Sequence, residues 1–246
     1  FKDCDTDFLP AKDHRGEFPG LGVCQRVVPV DLDALRKFCD EQKITMNTLF
    51  TAVFGFVAGR YVYKEEAVFT TIYNGRNDSR LASIMNMLVK TLPVYCKLDG
   101  EKEIGDYLRE TGEQLMNSMN ADIYSFAEIS RAYDIKADLM FAFQGDNFLF
   151  DEVAGEKAVR QEISLDTAKA PLSVDVLVED GQIVYQAEYR SDMYEERTVL
   201  GFMDCLAAVT DEFRKKKLLK EVSMVGRKAR REIDGYNETD YAVEQT

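Results

Sequence analysis

Hydrophobic residues recur along this chain with two periods, and the changes of period mark out its elements. Cys24 to Val30 alternates weakly and is valine-rich, which predicts a strand. Asp31 follows as a helix cap, and Leu32, Leu35, Phe38 and Cys39 then share one helical face. Thr45 caps a second predicted helix, through about Tyr61. Met46, Leu49, Phe50, Val53, Phe54 and Val57 surround it almost completely, with Gly55 and Gly59 between. A helix that is apolar on every side is a buried one.

Ala67 to Tyr73 reads as the next strand, ending in the polar loop Asn74-Gly75-Arg76-Asn77-Asp78, and Leu92 to Leu98 as another. Ile104, Tyr107, Leu108 and Leu115 predict an amphipathic helix to about Asn120. Ser125 and Glu128 have the spacing of a capping box for a short helix through Tyr133. Leu139 to Phe143 is strand-like, and Leu172–Val178 and Ile183–Tyr189 flank Asp180-Gly181, a hairpin signal. Val199, Met203, Leu206 and Phe213 predict a last long helix. Strands and helices mix throughout, so the class is α/β, a mixed sheet with helices packed against it. Residues 1–22, with Pro10 and Pro19, read as an irregular segment, residues 23–220 as one globular unit and residues 221–246 as a polar linker.

Composition narrows the functions. Of 246 residues, 46% are hydrophobic, enough for a sizeable core, yet no apolar run reaches the roughly 18 residues of a membrane span. Thirty-one basic residues against forty-four acidic ones leave a net charge of −13, which repels nucleic acid and anionic membrane surfaces. The basic runs at 214–217 and 227–231 read as solvated helix ends. Cys4, Cys24, Cys39, Cys96 and Cys205 are scattered and odd in number, which predicts reduced thiols and a cytoplasmic location. The chain starts at Phe1 without an initiating methionine, which suggests an excised segment or a chain given without its first residues.

Catalytic constellations are missing. A serine or cysteine nucleophile needs a histidine to take its proton, and His14 is the single histidine, without an orienting partner at a recognisable spacing. One histidine and no Cys-x-x-Cys pair exclude the usual zinc frameworks. Neither of the glycine-rich phosphate loops occurs. Asn237-Glu238-Thr239 matches a glycosylation acceptor only formally.

Several stretches, in order, resemble the second half of condensation domains of nonribosomal peptide synthetases. Thr71-Ile72-Tyr73-Asn74-Gly75-Arg76 is similar to that family's strand ending in Gly-Arg. Met85-Asn86-Met87-Leu88-Val89-Lys90-Thr91-Leu92-Pro93 resembles its Gly-x-Phe-Val-Asn-Thr-Leu-Pro motif, with Lys90 in the place of Asn and Asn86 in the place of Gly. Asn120-Ala121-Asp122-Ile123-Tyr124-Ser125-Phe126 is similar to the His-Gln-Asp-x-Pro-Phe region, and Met140-Phe141-Ala142-Phe143-Gln144 to an apolar strand closing on Gln. Pro171-Leu172-Ser173-Val174 and Tyr189-Arg190-Ser191-Asp192-Met193-Tyr194 resemble the two strands of a hairpin, Pro171 standing where Asp is common. Tyr236-Asn237-Glu238-Thr239 resembles the Trp-Asn-x-Thr that opens the linker to an adenylation domain, with Tyr236 in place of Trp.

The resemblance implies a chloramphenicol acetyltransferase-like lobe, the C-terminal one of two, with the reaction centre in a tunnel between them. The family's His-His-x-x-x-Asp-Gly signature belongs to the other lobe; Asp99-Gly100, Asp180-Gly181 and Asp234-Gly235 follow no histidine pair here. The implied reaction is amide-bond formation between thioesters carried on phosphopantetheine arms of carrier proteins. This chain then holds no catalytic residue, cofactor or metal of its own and supplies tunnel wall and carrier docking. Its implied partners are the N-terminal condensation lobe, peptidyl carrier proteins and a downstream adenylation domain. Gly75, Arg76, Lys90 and Thr91, at strand ends where loops line clefts, are the expected substrate-binding residues, with Gln144 and Ser173 from the later motifs. Arg76 is open to two readings, a contact with a phosphate or carbonyl of substrate and a structural pair with Asp78. Another acyltransferase of the same superfamily, or a docking module that has lost the chemistry, remains an alternative.

Overall fold

The computed structural model describes residues 4–13, 20–76, 79–81, 84–121, 123–136, 138–145, 152–153, 155–157 and 167–236. His14, Asp78 and the Asn237-Glu238-Thr239 triplet lie outside them. In chain order the elements are β1 (Leu21–Val27), α1 (Leu32–Gln42), α2 (Met46–Tyr61), β2 (Glu66–Tyr73), β3 (Lys90–Lys97), α3 (Ile104–Asn120), α4 (Phe126–Tyr133) and β4 (Leu139–Gly145). Then come the short pair β5 (Glu152–Val153) and β6 (Glu156–Lys157), followed by β7 (Leu172–Glu179), β8 (Gln182–Arg190), α5 (Glu196–Glu212) and α6 (Arg227–Tyr236).

Local chemistry explains the helix starts. The Asp31 carboxylate accepts the Ala34 N–H, the Thr45 hydroxyl accepts the Thr48 N–H, and Ser125 and Glu128 form the reciprocal capping box. The β7–β8 hairpin turns at Asp180 and Gly181, both at positive φ. β1 is displaced from its expected span of Cys24–Val30. Its register is fixed by β8, which pairs Leu21 with Arg190 and Val27 with Val184, and Val30 is already turning towards α1 through a hydrogen bond to the Val28 carbonyl. A further difference is α6, a helix within the stretch read as a polar linker.

Six strands form one mixed sheet in the order β1-β8-β7-β4-β2-β3. β4 runs parallel to both β7 and β2, and the remaining neighbours are antiparallel. The buried helix α2 lies against the middle of the sheet. Phe54 sits 4.9 Å, centroid to centroid, from both Phe69 of β2 and Phe141 of β4, and Phe50 meets Tyr185 of β8 edge-on. α5 packs beside it over β1, and α3 flanks it towards β3. Gly59 is required at this seam, because a Cβ there would stand 2.5 Å from the Glu66 carbonyl oxygen. Polar groups in the core are paired: the Tyr107 hydroxyl donates to the Ala52 carbonyl at 2.9 Å, and Tyr185 and Thr210 share a hydrogen bond.

The N-terminal residues 4–13 have no regular structure but are well docked. Phe8 is buried, Tyr194 donates to the Pro10 carbonyl, and the Asp13 carboxylate accepts from the Glu195 N–H and the Thr198 hydroxyl at the start of α5.

Candidate functional site

The loop after β2 is shaped by two residues singled out above. Gly75 has φ +68°, and a Cβ on it would lie 2.1 Å from the Leu88 carbonyl oxygen, so only glycine lets these backbones meet. Arg76 turns its guanidinium inward on its own chain, donating to the carbonyls of Leu81 at 2.5 Å, Ile84 at 3.0 Å and Asn86 at 3.1 Å. The Asn74 side chain accepts the Arg76 N–H. Arg76 thus cross-ties the segment that leads into β3 and fixes where Leu88 to Thr91 stand.

That segment forms one wall of a groove of about 420 Å³. Val89, just before β3, lines it with Lys90 and Thr91 of β3, and Ile123, Tyr124, Ser125, Phe126 and Glu128 line it from the start of α4. Its rim is apolar and open, with Ile123 81% and Tyr124 61% exposed, and Met85 and Met87 protrude fully from the preceding loop. Glu128 is held by Ser125, whose hydroxyl and N–H both donate to one carboxylate oxygen at 2.7 and 2.8 Å. These bonds, the hydroxyl's first, hold the Glu128 carboxyl below its ordinary range, so it stays ionised. The groove therefore offers an apolar floor, three hydroxyls, one ammonium and one fixed carboxylate. It has the means to bind an elongated amphipathic group and lacks a base poised near neutrality.

The other two expected residues lie elsewhere, on β4 and β7. Gln144, near the end of β4, donates to the Asp175 carboxylate, and Ser173 is buried with its hydroxyl 3.4 Å from the Glu188 carbonyl. Asp175 itself was not singled out by its sequence. Burial pushes its carboxyl up to about 6, and Glu188 adds to the rise, while Lys169 and the Gln144 bond oppose it. The available signal was an acid at an alternate position of the run Leu172–Val178, apolar apart from it and Ser173. Lys90 and Thr91 thus line the groove, Gly75 and Arg76 brace the loop that leads into it, and Gln144 and Ser173 join a second polar patch across the sheet.

Four of the five thiols add no nucleophile. Burial raises Cys24, Cys39, Cys96 and Cys205 to about 11, so they remain protonated at neutral pH. Among the described residues no group of histidine, cysteine and carboxylate side chains is placed to hold a metal ion, and no helix is long and apolar enough to cross a membrane.

The family model for the condensation domain matches residues 25–233, which includes every residue of both polar sites. The chain belongs to the condensation domain family. Over 237 residues this condensation-domain chain is 25% identical to the nonribosomal peptide synthetase dtxS1 of Metarhizium robertsii, covering 91% of the chain and 3% of that protein. Over 225 residues it is 24% identical to tyrocidine synthase 2 of Brevibacillus parabrevis, covering 85% of the chain and 6% of that protein. The X-domain from teicoplanin biosynthesis superposes with a TM-score of 0.74 at 13% identity, over 90% of this chain and 54% of that one. The chain therefore spans a few per cent of those synthetases and about half of the X-domain chain, and the fold is that of condensation domains.

Proposed function

We propose that this chain is the C-terminal lobe of a condensation domain, residues 23–220, followed by a segment leading towards an adenylation domain. In this reading the complete domain forms amide bonds between aminoacyl or peptidyl thioesters borne on phosphopantetheine arms of carrier proteins. The lobe contributes tunnel wall and carrier docking, and the N-terminal lobe brings the histidine that assists attack of the acceptor amine. The observation that carries this is the groove. Two family-like motifs, one ending in Lys90-Thr91 and one in Ser125-Phe126, are remote in sequence and meet across it. Its apolar floor and hydroxyls match the alternating methylene and amide groups of a pantetheine arm.

The test is reconstitution. General-base assistance is worth about 10²–10⁴-fold, and orientation of the two thioesters more still. The chain alone should give no condensation above background with loaded carrier proteins, and adding the histidine-bearing lobe should restore turnover. In the restored protein Lys90→Ala or Thr91→Ala should slow condensation about tenfold, the scale of one lost positioning contact. Turnover by the 246-residue chain alone, unchanged by His14→Ala, would sink the reading.

A further inference from the structure

The two edge strands of the sheet, β3 and β1, are built differently. In the β2–β3 ladder the Leu98 N–H donates to the Glu65 carbonyl, so the even-numbered residues of β3 bond to β2 and Thr91, Pro93, Tyr95 and Lys97 point outward. Pro93 has no N–H to offer on that edge, and lysines close both ends of the strand. Proline and lysine are the usual means of blunting an edge against a further strand.

β1 forms the opposite edge and has neither device. The Val28 N–H donates to Ile183 and the Ser191 N–H to the Gly20 carbonyl, so the even-numbered residues bond to β8. The backbone groups of Leu21, Val23, Gln25 and Val27 are thereby directed away from the sheet, unpaired with any described residue. Val23 and Val27 are each 50% exposed on the same face, with Gln25 between them. Arg26, the one charge in the strand, is tied to Asp204 of α5 at 2.6 Å.

The geometry points to β1 as a strand-addition edge whose occupant is a second copy of this chain. The strand is self-complementary. Antiparallel pairing about a two-fold axis at Gln25 sets Val23 opposite Val27 of the second copy and Gln25 opposite Gln25. All of these are outward-facing positions, so each pair exchanges both backbone hydrogen bonds. The side-chain partners are valine with valine and amide with amide, which are favourable across strands. Arg26 falls opposite Cys24 of the second copy and keeps its bond to Asp204. The result is one sheet continuous across a symmetric dimer. Strand pairing alone buries less than a standard interface, so the dimer is a weak one, and the charge of −13 per copy opposes it at low salt.

Sedimentation velocity of the 246-residue chain, from about 5 to about 200 µM at two salt concentrations, tests this on the scale of a weak interface. The expected result is a shift from 28.0 kDa towards twice that mass, stronger at the higher salt. Gln25→Pro removes an outward N–H and the side-chain bond to Gln186 but leaves the backbone bonds to β8 whole, so it should give a monomer with an unchanged circular dichroism spectrum. Val23→Lys is the second variant should the first fail to fold, and it too should abolish the shift. Amide exchange at Val23, Gln25 and Val27 should slow as concentration rises. A strict monomer over the whole range, or a dimer that survives folded Gln25→Pro or Val23→Lys, overturns the assignment.

Discussion

The N-terminal residues 4–13 and the helix α6 are opposites. The first has no regular secondary structure, yet it buries Phe8 under the Lys64 ammonium, ties Asp5 to Lys64 at 2.6 Å and caps α5 with Asp13. The second is a regular helix whose described side chains, 229–236, are all exposed. Regularity of the backbone and attachment to the fold are therefore separate properties. The first segment is ordered by tertiary contacts it could not form alone, and the second by bonds within its own turns. Ala229, Ile233 and Tyr236 line one side of α6 at helical spacing, an apolar stripe left exposed among the described residues.

The largest effect that could break this contrast is Phe8→Ala. Phe8 is 2% exposed, and its removal should cost about 3–5 kcal/mol of stability in urea titrations. A loss under about 0.5 kcal/mol, the range of surface changes, would mean that the segment is only laid on the surface. Next comes Asp13→Ala, which strips the external cap from α5. A loss of about 1–2 kcal/mol is expected, with Asp13→Asn restoring most of it.

A smaller effect is pH-dependent. The hydrogen bond from Lys64, then that from the Asp7 N–H, holds the Asp5 carboxyl below its ordinary value of 3.8. A group depressed on folding stabilises above its unfolded pKa and loses that contribution as pH falls through the folded one. The stability gap between the wild type and Asp5→Asn should thus be constant from neutral pH to about 5 and close below about 4. Asp5 is half exposed, so the gap is small, and a gap widening on acidification would reverse the assigned sign. The smallest effect belongs to α6, where Ile233→Ser should leave the urea midpoint within about 0.5 kcal/mol of the wild type. A larger loss would place α6 on the same footing as the N-terminal segment.

What the sequence showed follows the range of the forces involved. Helix starts at Asp31, Thr45 and Ser125 depend on a side chain and a backbone N–H three residues away, and all three were legible. The Asp180-Gly181 turn was legible for the same reason. The offset of β1 was not, because its register is decided by β8. β3 begins at Lys90 instead of Leu92 because Tyr73 pairs with it. α6 was hidden by polar composition, its apolar stripe spread over only three residues. Of the expected site residues, Lys90 and Thr91 line the groove and Gly75 meets Leu88 just before it. Arg76, however, serves the loop itself, and the α4 wall with Glu128 is created by chain crossing that no local pattern encodes. Asp175 is raised chiefly by burial, which the folded sheet decides, and so carried a single weak local sign.

The pairing of β1 with β8 also bears on how the chain is made. Gln25 and Gln186, which hydrogen-bond across that ladder, are separated by 161 residues. During synthesis the first strand leaves the ribosome long before its neighbour exists, a wait of roughly 10–30 s at ordinary elongation rates. The β7–β8 hairpin, closed by a two-residue turn, can form within microseconds of its own emergence. β2 and β3 can likewise pair early, but β1, whose one neighbour in the sheet is β8, can be enrolled only after β8 emerges, its valines in water throughout the delay.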